Sequence, residues 1–324
     1  MHRFSRRLFL AALVALAVGA AYPSWAAGKL KVVATFTVLG DMVKNVGGEH
    51  VTLTTLVGPD GDAHVYEPTP ADARALAEAD LVLVNGLGFE GWIDRLVKAS
   101  GYKGPVVVAS EGIALLRVEE DHGHGHGDAH GSAEKSGKHE DHHDHHHEGE
   151  FDPHAWQDLA NGRVYVANIA RALAAADAAH ADDYRGRAEA YDRELMMLDR
   201  DIRSRLDGVP AEQRKVITSH DAFQYFGRAY GIAFHAPVGL STEDEPSAGE
   251  VAALIRQMRD EGIRTLFVDN ITDARLVQQL AREAEAVVGG TLYSDSLSGA
   301  AGPAATYLGM FRHNASEIVK AFTN

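Results

Sequence analysis

One stretch limits what this chain can fold into more than any other: a long amphipathic run from about Ala179 to Asp207. Its apolar residues fall at Ala181, Tyr184, Ala188, Tyr191, Leu195, Leu198, Ile202 and Leu206, in steps of 3, 4, 3, 4, 3, 4 and 4. That spacing draws a single apolar stripe along a helix. Asp182, Asp183, Arg185, Arg187, Asp192, Arg193, Asp199, Arg200 and Arg203 occupy the other face. At 1.5 Å per residue the helix would run about 40 Å, enough to cross a whole domain. Asp177 is placed to cap it, and Gly208 and Pro210 to stop it. Short β-branched runs alternate with helical stretches before it and again after it. The chain therefore reads as two α/β lobes joined by one long helix; the plainer alternative is a core helix inside a single domain.

The first lobe is expected over residues 28–175, the linking helix over 179–207 and the second lobe over 213–324. Strands are expected at Leu30–Thr35, Val51–Val57, Leu81–Asn85 and Val106–Ala109, then at Lys215–Thr218, Ile232–His235, Thr265–Val268 and Val287–Leu292. Helical stretches separate them, including one capped by Thr69 with Pro70 in its first turn. A last helix is expected over Pro303–Phe322. Valine- and leucine-rich strands that alternate with helices make a parallel sheet covered on both faces. The fold class is thus α/β, with a four-stranded sheet in each lobe.

The 324 residues suffice for two such cores. With no cysteine in the chain, disulfides, thiolate metal sites, thiol nucleophiles and a lipid-modified N-terminal cysteine are all excluded as readings. A net charge of −15 argues against nucleic acid and anionic membranes as partners, and suits a protein that handles cations. Residues 1–26 look like a signal peptide: Arg3, Arg6 and Arg7 precede an apolar run from Leu8 to Ala21, and Ser24-Trp25-Ala26 offers a cleavage site. That run is shorter than the ~20 residues a membrane span needs. Ser5-Arg6-Arg7-Leu8-Phe9-Leu10 also resembles a twin-arginine export motif. The expected location is the periplasm, without a lipid anchor.

Residues 119–150 break the pattern. They hold 10 histidines, 10 acidic residues and two apolar residues, Ala129 and Ala133. Such a composition cannot build a core and is expected to be a disordered loop. Its histidines, His122, His124, His126, His130, His139, His142, His143, His145, His146 and His147, suit a low-affinity metal-collecting tether; a neutral spacer and an engineered tag are the blander readings.

Three histidines and one carboxylate have a different address, in loops or turns beside the strands: His64, His154, His220 and Asp295. In open parallel sheets the ligand crevice lies beyond the carboxyl ends of the strands. Two lobes facing each other through those loops would bring His64 and His154 from one side, His220 and Asp295 from the other. Three imidazoles and one carboxylate form a tetrahedral nitrogen/oxygen set suited to zinc.

The stretches around these residues are His64-Val65-Tyr66-Glu67-Pro68-Thr69-Pro70, Asp152-Pro153-His154-Ala155-Trp156, Ser219-His220-Asp221-Ala222-Phe223 and Asp295-Ser296-Leu297. They resemble the four ligand motifs of the cluster A-I (ZnuA-like) solute-binding proteins, the zinc- or manganese-binding components of ABC transporters. Leu240-Ser241-Thr242 and Glu245-Pro246-Ser247 extend the resemblance, which covers nearly the whole chain beyond residue 26. It implies two (β/α)₄ lobes joined by one long rigid helix, His64, His154, His220 and Asp295 as metal ligands, and delivery of the metal to a membrane permease. Manganese members tend to carry Glu at the third position, where this chain has His220. Zn²⁺ is therefore the expected ion ahead of Mn²⁺. A periplasmic metallochaperone is a candidate second partner, and the chain is expected to act as a monomer.

Glu67 is expected to orient an imidazole, Trp156 and Phe223 to pack around the site, and Asp221 to cap the following helix. His50, His180 and His313 read as structural, and His235 as structural or accessory. A zinc hydrolase would need an open coordination position; four candidate ligands and the lack of a His-Glu-x-x-His motif argue against it. The missing lipid-bearing cysteine argues against a surface adhesin.

Overall fold

The computed structural model describes residues 28–118, 150–243 and 245–323. The expected signal peptide and residues 119–149 of the histidine-rich tract lie outside the described residues. The first lobe runs β1 (Leu30–Ala34), α1 (Thr37–Gly47), β2 (Val51–Thr55), α2 (Pro70–Ala77), β3 (Leu81–Val84), α3 (Ile93–Ser100), β4 (Val106–Val108) and α4 (Leu159–Ala176). Its strands form a parallel sheet in the order β2-β1-β3-β4. All four residues of β3 are buried, as a central strand covered on both faces requires.

The long helix α5 (Ala181–Leu206) follows. The second lobe then runs β5 (Lys215–Ile217), α6 (Gln224–Tyr230), β6 (Ala233–His235), α7 (Ala248–Glu261), β7 (Thr265–Asp269), α8 (Arg275–Glu283), β8 (Val287–Leu292) and α9 (Tyr307–Thr323). Its sheet repeats the plan of the first, in the order β6-β5-β7-β8 with every pair parallel. In each sheet the chain leaves its first strand toward one edge and returns to the other side. The loops beyond β1 and β3, and beyond β5 and β7, therefore diverge and open a crevice.

Tyr184, Ala188, Tyr191, Leu195, Leu198, Ile202 and Leu206 of α5 are all buried, as the stripe predicts. Asp182 and Asp183 in the first turn and Arg203 and Arg205 in the last suit the helix dipole. Asp177 differs from expectation. It lies before a short 3₁₀ turn, Ala178–His180, and His180 is the residue at the helix start. Its Oδ2 instead accepts from His180 Nδ1 and the Tyr184 hydroxyl, both at 2.7 Å. The start of α9 also shifts, from Pro303 to Tyr307. The Ser298 hydroxyl accepts the Ala304 N–H at 3.1 Å and Gly302 N–H meets Gly299 C=O at 2.8 Å, which holds the preceding residues in turns.

The main apolar core is continuous. It runs from Val32 and Leu83 of the first sheet through Tyr184, Leu195 and Ile202 of α5 to Phe226 and Phe311 of the second lobe. A smaller cluster, with Ile217, Leu254, Met258, Leu266 and Leu280, lies under α7 and α8. An apolar junction between lobes resists wide hinge motion, because opening would expose it to water.

Leu195→Ala is expected to lower the unfolding free energy by about 2–5 kcal/mol. Met197, 61% exposed on the same helix, should lose less than about 0.5 kcal/mol on replacement by Ala. Urea denaturation of both variants measures the difference; equal losses would contradict the buried stripe.

Candidate metal centre

The four sequence-predicted residues come together between the lobes. One donor atom from each of His64, His154, His220 and Asp295 lies within 4.8 Å of every other. His220 is placed by the switch point of the second sheet. It stands just beyond β5, where the Thr218 hydroxyl donates to its carbonyl at 3.0 Å. The neighbouring strand β7 ends at Asp269, whose Oδ2 accepts the His220 backbone N–H at 3.0 Å and contacts its Nδ1 at 2.5 Å. The Ser219 hydroxyl accepts the Asp269 N–H at 3.0 Å, which ties the two strand ends together.

His154 is held in the same way. Asp152 Oδ1 accepts its backbone N–H and contacts its Nδ1, both at 2.8 Å. A carboxylate on Nδ1 makes that nitrogen the donor and leaves the Nε2 lone pair free to face an ion. Asp295 follows β8, in a loop pinned across the lobe junction: Trp156 Nε1 and Gln157 Nε2 both donate to the Ser294 carbonyl, at 2.9 and 2.6 Å. His64 comes from the long β2–α2 connection, where its backbone N–H donates to Asp62 Oδ1 at 2.9 Å.

The spacing suits a small cation. His64 Nε2 lies 3.3 Å from His154 Nε2. Asp295 Oδ2 lies 3.2 Å from His64 Nε2 and 3.2 Å from His220 Nε2, and Asp295 Oδ1 lies 3.6 Å from His154 Nε2. Four donors at ~2.0–2.1 Å around a tetrahedral ion stand about 3.3–3.4 Å apart. Three of these pairs stand at that spacing; the His154–Asp295 pair is longer and uses the other carboxylate oxygen, and the full donor set stays within 4.8 Å, so modest side-chain shifts would enclose one. Asp295 Oδ1 is buried without a hydrogen-bond partner, a state that a bound cation would relieve.

An aromatic wall keeps water away. Phe36, Phe89 and Trp156 pack with ring centroids 4.7–4.9 Å apart, Phe89 meets His64 edge-on at 4.8 Å, and Trp156 meets His154 at 5.3 Å. His154, His220 and Asp295 are fully buried. Burial alone would lower the pKa of His154, but Asp295 and Asp152 outweigh it and hold the imidazole up to about 9. His220 is raised for the same reason, against burial, by Asp295 and Asp269. Burial would raise Asp295, yet His154 and His220 hold it well below the usual carboxylate range. Without metal the pocket thus stores protons on imidazoles around an ionised carboxylate.

The remaining expectations divide between those the structure alters and those it keeps. Glu67 is exposed; the carboxylates on the imidazole Nδ1 atoms are Asp152 and Asp269. Trp156 lies against the site as expected, whereas Phe223 stacks on Phe234 at 5.2 Å within the second lobe's own core. Asp221 does not cap a backbone: its Oδ1 accepts from the Gln224 side chain at 2.6 Å. His235 is half-buried and contacts Gln257 at 3.3 Å, and burial lowers its pKa. His50 stacks on His180 at 3.9 Å and pairs with Asp183, and His313 reaches the Thr291 carbonyl at 2.9 Å. Phe36 and Phe89 have no forerunner in the sequence reading.

Comparison with known proteins places this arrangement in context. The profile of the family described as zinc-uptake complex component A, periplasmic, matches residues 32–321. The iron-binding protein YfeA of Yersinia pestis is 32% identical over 300 residues, covering 93% of this chain and 88% of that protein. The manganese ABC transporter substrate-binding lipoprotein PsaA of Streptococcus mitis is 30% identical over 321 residues, covering 97% of this chain and 96% of its own. Among solved structures, the periplasmic zinc-binding protein TroA of Treponema pallidum superposes with a TM-score of 0.79 at 30% identity, covering 92% of this chain and all of that one. The lipoprotein in the streptococcal name departs from the unanchored form expected here; the present sequence has no cysteine.

Asp152→Asn and Asp269→Asn are each expected to weaken metal binding by about 10–100-fold, because the amide oxygen that remains lacks the charge that orients the imidazole and raises its basicity. Competition with a calibrated chelator measures this. Unchanged affinity in both variants would remove these carboxylates from the site's workings.

Proposed function

The chain belongs to the family of zinc-uptake component A proteins, metal-binding substrate-binding proteins of ABC transporters, and from that premise we propose that it captures Zn²⁺. The proposed ligands are His64, His154, His220 and Asp295, and the proposed destination is the permease of the transporter. Family members bind and hand over a solute; they are not enzymes. The observation that carries the zinc reading is the donor set itself, three imidazoles and one carboxylate whose donor atoms lie within 4.8 Å of one another. Imidazole favours zinc over manganese, which prefers harder oxygen ligands and a larger coordination number.

The proposed capture is an exchange of cations. A metal ion meets imidazoles that hold protons, displaces those protons and takes their place beside Asp295. The aromatic wall then confines the ion in a medium where its attraction to the carboxylate is stronger than in water. Release requires at least one ligand to swing away, and His64, the one of the four that is not fully buried and whose Nδ1 is not held by a carboxylate among the described residues, is the ligand with most freedom. The histidine-rich tract is proposed to collect zinc weakly at the mouth of this process. Removal of residues 121–148 should leave the tight site intact.

The second reading, manganese, is favoured by the names of relatives such as the streptococcal protein. The two separate when metal-free protein is equilibrated with both ions and weighed by native mass spectrometry. One zinc retained against a manganese excess, and lost in His220→Ala, is the expected result. Manganese held equally well overturns the zinc reading, and zinc retained without His220 overturns the ligand assignment.

The pKa shifts also fix the sign of the pH dependence. A raised imidazole pKa means that protons compete with metal throughout the range below it. Zinc affinity should therefore climb as pH rises from 6 toward about 9, where His154 loses its proton. Below that point it should fall about tenfold per pH unit for each proton displaced. Calorimetry in buffers of different ionisation enthalpy should detect proton release near pH 7. Affinity independent of pH, with no proton released, would contradict the exchange.

A further inference from the structure

His154 and His220 each have a carboxylate on Nδ1 to hold the ring. His64 is held differently. Among the described residues its polar ring partners are His154 and Asp295, both through Nε2, and Phe89 packs edge-on at 4.8 Å, so no carboxylate fixes the ring from behind. Its position therefore depends more on its backbone, which Asp62 holds at the His64 N–H and Trp92 Nε1 holds at the Ala63 carbonyl, 2.8 Å away.

Asp62 uses both oxygens. Oδ1 accepts the His64 N–H at 2.9 Å, and Oδ2 accepts the Thr242 hydroxyl at 2.6 Å. Thr242 belongs to the other lobe, in the segment between β6 and α7. The same segment is clipped to the His220 loop, where Asp221 N–H donates to the Val238 carbonyl at 3.1 Å. One short stretch thus touches the loops of two metal-facing histidines from opposite lobes. It also borders a cavity of about 720 Å³ lined by Asp62, Ser219, Thr242, Ile255 and Leu276. Space behind the Asp62–Thr242 contact means the contact can open without repacking the continuous core.

The other cross-lobe ties of the His64 loop lie further from the histidine. Asp60 N–H donates to the Leu297 carbonyl and Asp60 Oδ1 accepts from Asn270 Nδ2, both at 3.0 Å, and the Ser296 hydroxyl reaches the Gly58 carbonyl at 3.2 Å. These anchor the base of the loop. Among the described residues, the Thr242–Asp62 bond is the cross-lobe tie of this loop that acts next to the ligand, through a carboxylate that itself grips the His64 backbone.

We propose that Thr242 is a positioning residue for His64: its hydroxyl clasps Asp62 across the lobe junction, and opening of that clasp is the step that lets His64 leave the metal. The inference rests on the reading of His64 as a metal ligand. When the hydroxyl lets go, Asp62 can turn toward water in the cavity, its hold on the His64 N–H loosens, and the ion loses one of its four donors. Capture reverses the order, so the clasp couples the second lobe's 238–242 segment to the lifetime of the bound ion.

The test is the rate at which zinc-loaded protein yields its ion to excess chelator in a stopped-flow mixer. Thr242→Val keeps the shape and removes the hydroxyl, and should speed release about tenfold, the effect of losing one hydrogen bond to a charged group. Thr242→Ser restores the hydroxyl and should stay within about twofold of the parent. In a His64→Ala background, where zinc is held by three ligands, Thr242→Val should change release by less than about twofold, because a residue that acts through His64 has nothing left to act on. Parental release by Thr242→Val overturns the clasp, as does release by Thr242→Ser as fast as by Thr242→Val. The same acceleration without His64 also overturns it, since that marks a general loosening of the fold. If His64→Ala releases zinc as slowly as the parent, the ligand reading itself fails, and the clasp with it.

Discussion

Asp295 is a carboxylate buried at the junction of two lobes, and the rest of the site is arranged around neutralising it. An ionised carboxylate without a partner in such a place would cost several kcal/mol. Here it has three imidazoles within 3.6 Å. In the metal-free protein the protons held on His154 and His220 supply the compensating charge; on the proposed reading, a bound ion takes their place. The proposed change between the two states is therefore an exchange of cations rather than the filling of a void. Asp152 and Asp269 extend the same logic outward, each orienting an imidazole so that its other nitrogen faces Asp295.

That arrangement demands lobes that hold their places. The apolar core passes without a break from the first sheet through α5 into the second lobe, and the Trp156–Ser294 and Gln157–Ser294 bonds cross the junction beside the site. Wide opening would disrupt all of these at once. The freedom that capture and release require is left to the loops, and above all to the β2–α2 connection with His64.

Much of this was legible in the chain. The stripe of α5 is read directly, since 3- and 4-residue steps admit one geometry, and every stripe residue from Tyr184 onward is buried. The four donors were legible because each sits in a motif beside a strand or turn. The orienting carboxylates were harder. Asp269 reaches His220 across 49 residues, through the adjacency of β5 and β7, and that adjacency is a property of the sheet order rather than of any local pattern. Asp152 was closer to hand, two residues before His154, where a carboxylate can grip both backbone and ring. Glu67 misled for a local reason. The Thr69–Asp72 capping box and the Tyr66–Asp72 bond lock the turn with Tyr66 against Trp92, which sends Glu67 outward. Asp177 misled similarly, since His180 and Tyr184 claim its side chain before any helix N–H can.

The most direct test of the central claim is the coordination shell of zinc at one equivalent, read by X-ray absorption at the zinc edge on protein lacking residues 121–148. The account predicts four light ligands, three of them imidazole nitrogens and one a carboxylate oxygen, at ~2.0–2.1 Å. A six-coordinate, oxygen-dominated shell, or a shell with fewer than three imidazoles, would contradict it.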